Sequence, residues 1–255
     1  PYLVRRLLEN GANTSFVHAF LDENIAPENV VADPFMLVEN GAKRHPRVPM
    51  PIDMFGSMRK NSQGYDLSMI KTQNDFAQSF VSFDNANHEA HSIINGADVV
   101  GAKRQKIINP SDLKTLGQSS ICDLDKINEA FTIAQKYQKQ WNELGGNARA
   151  DILDKMAQAL EDNALDLIAT LSREAGKTLE DGISEVREAV DFLRYYAAGA
   201  RLDFNGTKRL PGPAGEINEL GLMGRGVFVC ISPWNFPLAI FTGQLAAALA
   251  AGNAV

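Results

Sequence analysis

Cysteine is scarce: Cys122 and Cys230 are the only two in 255 residues. Two thiols build no disulfide framework, and a reducing cytoplasm is the simplest setting for them. Apolar runs are short as well. None reaches about 18 residues without a polar interruption, so no membrane-spanning helix is expected. Like charges never gather in long blocks. A net charge of −6 and a pI near 5.3 favour neither nucleic acid nor an anionic membrane surface as a partner. The chain starts at Pro1 with no secretory signal. It also has no G-x-G-x-x-G fingerprint; "GLMGRG" at 221–226 carries its glycines in the wrong order for a phosphate loop. What remains is 45% hydrophobic content, enough to bury the core of one or two domains. Both ends read as cut through elements, a helix pattern at 1–9 and the first residues of a strand at 253–255. The expectation is a window of a longer protein.

The opening "PYLVRRLLEN" divides on a helical wheel. Leu3, Val4, Leu7 and Leu8 share one face; Tyr2, Arg5, Arg6 and Glu9 share the other. Pro1 suits a first turn and Gly11 a stop. Two readings stand. The arginine face is solvated, with Arg5 and Glu9 paired at i, i+4. Or the adjacent guanidinium forks hold a carboxylate, with a tyrosine beside them to pack on an apolar ring.

Residues 34–64 contain Pro34, Pro46, Pro49 and Pro51 and read as an irregular connector, followed by the polar, turn-rich "RKNSQGYDLS" at 59–68. His88 and His91 lie at i, i+3 without a third metal ligand nearby, which favours packing or surface histidines. Short strands are expected at 105–109 and 115–121. Helices then dominate. Asp123 is placed to cap the first, whose stripe is Ile127, Ala130, Phe131, Ala134, Tyr137 and Trp141. Ile152, Leu153, Met156 and Leu160 mark a second. Leu165, Ile168 and Leu171 mark a third, stopped by Gly176. Ile183, Val186, Val190, Leu193 and Ala197 mark a longer fourth. Glu185 and Glu188 lie near that last stripe, where a solvated face or a pair with Arg187 or Arg194 accounts for them.

The last 30 residues have an α/β grammar. Val227–Ile231 is a continuous apolar run, as expected for a parallel strand buried on both faces. Pro233 breaks it, a helix over 238–251 follows, and Gly252 ends that helix. Between strand and helix stands "SPWNFP", at the carboxyl end of the strand where open α/β sheets bind ligands. A buried amide at Asn235 needs partners. It either caps the following helix or donates to an oxyanion. The pattern leaves both open. Cys230 inside the strand and Cys122 near a strand–helix junction both read as structural thiols.

Four stretches resemble known families. "YLVRRLLENGANTSFV" is similar to the last barrel helix of the flavin-dependent proline dehydrogenase domain, whose Y-x-x-R-R motif binds proline. The resemblance implies that Arg5 and Arg6 hold the proline carboxylate, that Tyr2 lines its ring and that Glu9 lies on the FAD side. "ISPWNFPLAI" resembles the signature of NAD(P)-dependent aldehyde dehydrogenases. It implies Asn235 as the oxyanion donor, Ile231, Ser232, Pro233, Trp234 and Asn235 along NAD, and Phe236 and Glu188 at the aldehyde pocket. "REAGKT" and "PGPAGEINEL" point to the branch that oxidises glutamate semialdehyde. The order of these stretches, with the connector between them, resembles bifunctional proline utilization A proteins.

That resemblance implies an α/β chain holding the last helix of a (βα)8 barrel over 1–35, a connector over 36–94, and over 95–255 the N-terminal part of an aldehyde dehydrogenase fold, with a helical layer and the start of a Rossmann-like sheet. It implies proline and glutamate semialdehyde as substrates, NAD and FAD as cofactors, a homo-oligomer, and membrane or quinone contact by the longer protein. The reactive cysteine, general-base glutamate and cofactor lysine of such enzymes are not identifiable here, so the chain by itself is expected to be inactive. A non-catalytic assembly module, using 203–220 for subunit contacts, and a stand-alone aldehyde dehydrogenase are the competing readings.

Overall fold

The computed structural model describes residues 2–10, 16–31, 33, 35–36, 39, 41 and 47–255; the side chains of Glu9, Asn10 and Phe16 lie outside that description. The chain divides into two units, 1–50 and 51–255. The first contains α1 (Tyr2–Asn10), α2 (Phe16–Leu21) and the single turn α3 (Pro27–Val30), with Pro27 in its first turn as its fixed φ favours. The wheel of α1 holds, but its apolar face is exposed at Leu3, Val4, Leu7 and Leu8 along with the polar one. Pro1 and the Gly11 stop lie outside the described residues.

The second unit starts with a segment that is irregular as expected, apart from one short turn at Pro51–Asp53, and it docks. Asp191 accepts from Arg59 Nη1 at 2.6 Å and from Ser62 Oγ at 2.7 Å. Glu161 accepts from the Gln63 amide at 2.8 Å, and Arg194 donates to the Asn61 carbonyl at 3.1 Å. Then comes α4 (Ile70–Asp84), which sequence reasoning did not mark, although Phe76, Phe80 and Phe83 recur at i, i+4, i+7. Phe76 is buried with Ala164, Ile168, Leu171, Ile183 and Val186.

Strands β2 (Ser92–Ile94) and β3 (Ala97–Val99) form a hairpin closed by Asn95 and Gly96, both at positive φ, as a two-residue turn of this hand requires. A small sheet takes the order β1 (His88–Ala90), β5 (Thr115–Ile121), β4 (Lys103–Ile108), parallel then antiparallel. His88 Nε2 donates to the Phe83 carbonyl and the ring stacks on the Phe83 ring; His91 Nδ1 bonds the Ser120 hydroxyl. They serve packing and sheet contacts.

The helical layer forms as expected: α5 (Leu124–Glu143), α6 (Gly145–Asp162), α7 (Ala164–Ala175) and α8 (Leu179–Asp203). Gly176 stops α7 in the left-handed region at φ +69, and Thr178 caps α8 by accepting from the Asp181 amide. Asp123 stands at the N-cap of α5 without a side-chain capping bond. The stripe of α5 is not core. Ile127, Phe131 and Tyr137 are exposed, and Ile127, Ala130, Phe131 and Ala134 line an apolar cavity of about 320 Å³. The true core sits between α6, α8 and α9 (Ala239–Ala250): Leu153, Val190, Leu193 and alanines on all three helices. Small residues on α9 permit that approach; Gly243 lies against the Phe192 ring. The hairpin β6 (Thr207–Leu210) and β7 (Asn218–Gly221) follows α8.

Buried Arg149 ties the helix ends together. It donates to the Ala250 carbonyl at 3.1 Å and the Asn142 carbonyl at 2.7 Å, the last turns of α9 and α5. Burial pulls its guanidinium below the ordinary arginine value.

Candidate functional site

The loop 231–238 lies between an extended run and α9. The expected two-sided buried strand at 227–231 is corrected here. Its pairing is one parallel bridge, Val227 with Ala254, in which the Phe228 amide donates to the Ala254 carbonyl at 2.8 Å. A parallel strand needs ladder partners along its length, and residues 229–231 have none among the described residues. Val229 and Ile231 are therefore exposed, Ile231 at 79%. Cys230 is half-buried, not sealed in a strand, and lines the 320 Å³ cavity with Cys122.

Asn235 is exposed, where a buried amide was expected, and its side chain has no hydrogen-bond partner among the described residues. It does not cap α9. That helix begins at Ala239, with Leu238 at its N-cap and no side chain of its own in the capping role. The first-turn amides need an acceptor, and it comes from α8. Glu185 Oε1 accepts from the Leu238 amide at 2.9 Å and the Ala239 amide at 3.2 Å. The Glu185 side chain is 1% exposed, and its Oε2 lies 2.8 Å from Lys177 Nζ. A carboxylate at a helix N-terminus faces the positive end of the dipole, and a buried one needs a counter-ion. Lys177 Nζ lies 4.4 Å from the centroid of the Phe236 ring. On the other flank, Gln244 Nε2 of α9 donates to the Ile231 carbonyl at 3.2 Å.

Glu185 is thus not on a solvated face and does not pair with Arg187 or Arg194. Arg194 holds Glu161 through two bonds of 2.9 and 2.7 Å, and Arg187 donates to Ser62. Glu188, the acid expected at the pocket, is exposed on α8. Glu185 and Lys177 are the residues that sequence reasoning missed as neighbours of the loop. No local signal gives a cap from 53 residues upstream; position 238 is a leucine, which supplies no side-chain acceptor.

Ile231, Ser232, Pro233, Trp234, Asn235 and Phe236 are contiguous at the loop. Trp234 is 88% exposed and Phe236 37%. In the first unit, the Arg6 guanidinium lies 5.2 Å from the centroid of the Tyr2 ring, on the same face of α1 as Arg5. The side chain of Glu9, expected on the FAD side, lies outside the described residues. Among the described residues, no helix is long and apolar enough to cross a membrane.

A parallel bridge beside a Pro-Trp-Asn-Phe-Pro loop, a helix of small residues and a layer of long helices define a class. Residues 99–255 match the sequence profile of the aldehyde dehydrogenase family, and the chain belongs to that family. Over its whole length the chain is also 41% identical to the bifunctional protein PutA of Klebsiella aerogenes, and spans 19% of that relative's length. Proline utilization A from Bdellovibrio bacteriovorus superposes with a TM-score of 0.84 at 28% identity, over 99% of this chain and 26% of that one. A Thermus 1-pyrroline-5-carboxylate dehydrogenase with bound NAD gives 0.72 at 28% identity, over 76% and 38%.

Proposed function

We propose that the Asn235 loop is the oxyanion-stabilising part of an NAD-dependent aldehyde dehydrogenase site. In this reading it belongs to a longer bifunctional protein that oxidises proline to pyrroline-5-carboxylate with FAD, then glutamate semialdehyde to glutamate with NAD. The observation that carries the reading is Asn235 itself. Its amide is open and unpartnered, and the helix beside it is already capped by Glu185. The capping role that competed with the chemical one is taken by another residue. The relatives support the rest: the full-length match is to bifunctional PutA, and a structural neighbour is a pyrroline-5-carboxylate dehydrogenase holding NAD.

The chemistry follows from the loop. The Asn235 amide donates to the aldehyde oxygen, which gains negative charge when a nucleophile adds to its carbon. Phe236 supplies an apolar wall beside it. Ile231, Ser232, Pro233 and Trp234 present an open, largely apolar edge to NAD, and the exposure of Ile231 and Trp234 suits a flat ring system. Bound NAD supplies the hydride acceptor. For FAD the described residues of 1–50 offer short helices and no strand to form a cradle. Arg5 and Arg6 bind the proline carboxylate and Tyr2 borders its ring. Residues 1–35 then end a proline dehydrogenase barrel, 36–94 connect, and 95–255 open the aldehyde dehydrogenase module. The exposed Ile217 and Leu220 around β7 suit a contact between subunits of a cytoplasmic homo-oligomer.

Neither thiol is the nucleophile in this reading, because both line a cavity walled by apolar side chains of α5. In the full-length protein, Cys122→Ser with Cys230→Ser is expected to keep NADH formation from glutamate semialdehyde within about twofold of the parent. Loss of activity in that double variant contradicts the assignment. Arg5→Ala or Arg6→Ala is expected to raise the proline KM roughly tenfold or more, the effect of losing a charge-assisted hydrogen bond. An unchanged KM returns both arginines to a solvated helix face.

A further inference from the structure

We propose that Glu185 and Lys177 are positioning residues of Asn235, an inference that rests on reading Asn235 as the oxyanion donor. The loop is held on both flanks and open in the middle. Upstream, Gln244 grips the Ile231 carbonyl at 3.2 Å. Downstream, Glu185 takes the Leu238 and Ala239 amides, and its partner Lys177 lies 4.4 Å from the centroid of the Phe236 ring, on the residue next to Asn235. Pro233 and Pro237 restrict the backbone between those points. At the centre, the Asn235 amide has no hydrogen-bond partner among the described residues and is open to a ligand.

Ser, Thr, Asp and Asn are the preferred caps at a helix's own N-cap. Here the acceptor comes from the interior of α8, fully buried and ion-paired at 2.8 Å. The arrangement transmits the position of α8, a helix packed into the core of the second unit, to the donor. A misplacement of about 1 Å at a reacting group costs on the order of a hundredfold in rate. A partial loosening of the clamp costs less. Glu185→Gln keeps the shape and an acceptor for the two amides but discharges the pair with Lys177.

The test is a double-mutant cycle on the full-length protein, reading kcat and KM for aldehyde oxidation. Glu185→Gln is expected to lower kcat about tenfold with KM for aldehyde and NAD within about twofold. On an Asn235→Ala background the same substitution is expected to cost less than about twofold, because a residue acting through Asn235 has nothing left to position. An equal loss in both backgrounds, or no loss in the parent, overturns the proposal. Should Asn235→Ala alone leave kcat unchanged, the oxyanion reading itself fails and the proposal falls with it. Where Glu185→Gln does not fold, Glu185→Gln with Lys177→Met removes both charges together and enters the same cycle, with the same outcomes deciding it.

Discussion

Asn235→Ala in the full-length protein is expected to lower kcat for glutamate semialdehyde oxidation by about a hundredfold or more, the cost of losing one oxyanion donor. The KM for NAD stays close to the parent value, because the donor acts on charge that develops only in the transition state. Proline oxidation is unaffected, since the arginines proposed for it lie in a different unit of the chain. Folding is expected to change little. The side chain is exposed, makes no hydrogen bond among the described residues and caps no helix. Steady-state kinetics on the two half-reactions checks this. Equal loss of both activities contradicts the two-site assignment.

The second large effect is on stability. Arg194→Met is expected to destabilise the second unit by about 3–5 kcal/mol, because it strands the largely buried Glu161 without its counter-ion. Arg194 also donates to the Asn61 carbonyl, and Glu161 also accepts from the Gln63 amide. The pair therefore pins the 59–63 segment onto α6 and α8, and its loss frees that segment as well. Denaturant unfolding measures the difference. Arg194→Met with Glu161→Leu, which removes both charges, is expected to recover most of it. A single variant within about 1 kcal/mol of the parent would contradict the pinning role of the Arg194–Glu161 pair.

Periodicity was legible wherever one face of a helix meets the core. Val190, Leu193 and Ala197 are buried as their spacing implies, and Gly176 marks a stop that the structure keeps. Two other signals were present and passed over: Asn95–Gly96, which closes the β2–β3 hairpin, and the phenylalanines of α4. The stripe of α5 misled because it faces a cavity beside 227–230 where packing partners were expected. The run at 227–231 has strand composition, but a strand is a property of its neighbours, and one bridge is all it finds among the described residues. At the site, the motif located Asn235 correctly on a loop before a helix. Nothing local could say that the helix is capped from α8, because Glu185 and Leu238 are joined only by the fold.

The most direct test of the central claim is to supply proline, NAD and an artificial electron acceptor to the purified full-length polypeptide, and to count NADH against proline consumed. The account predicts about one NADH per proline, since each proline oxidised yields one aldehyde for the Asn235 site. Proline consumed with no NADH formed, or no proline consumed at all, would contradict it.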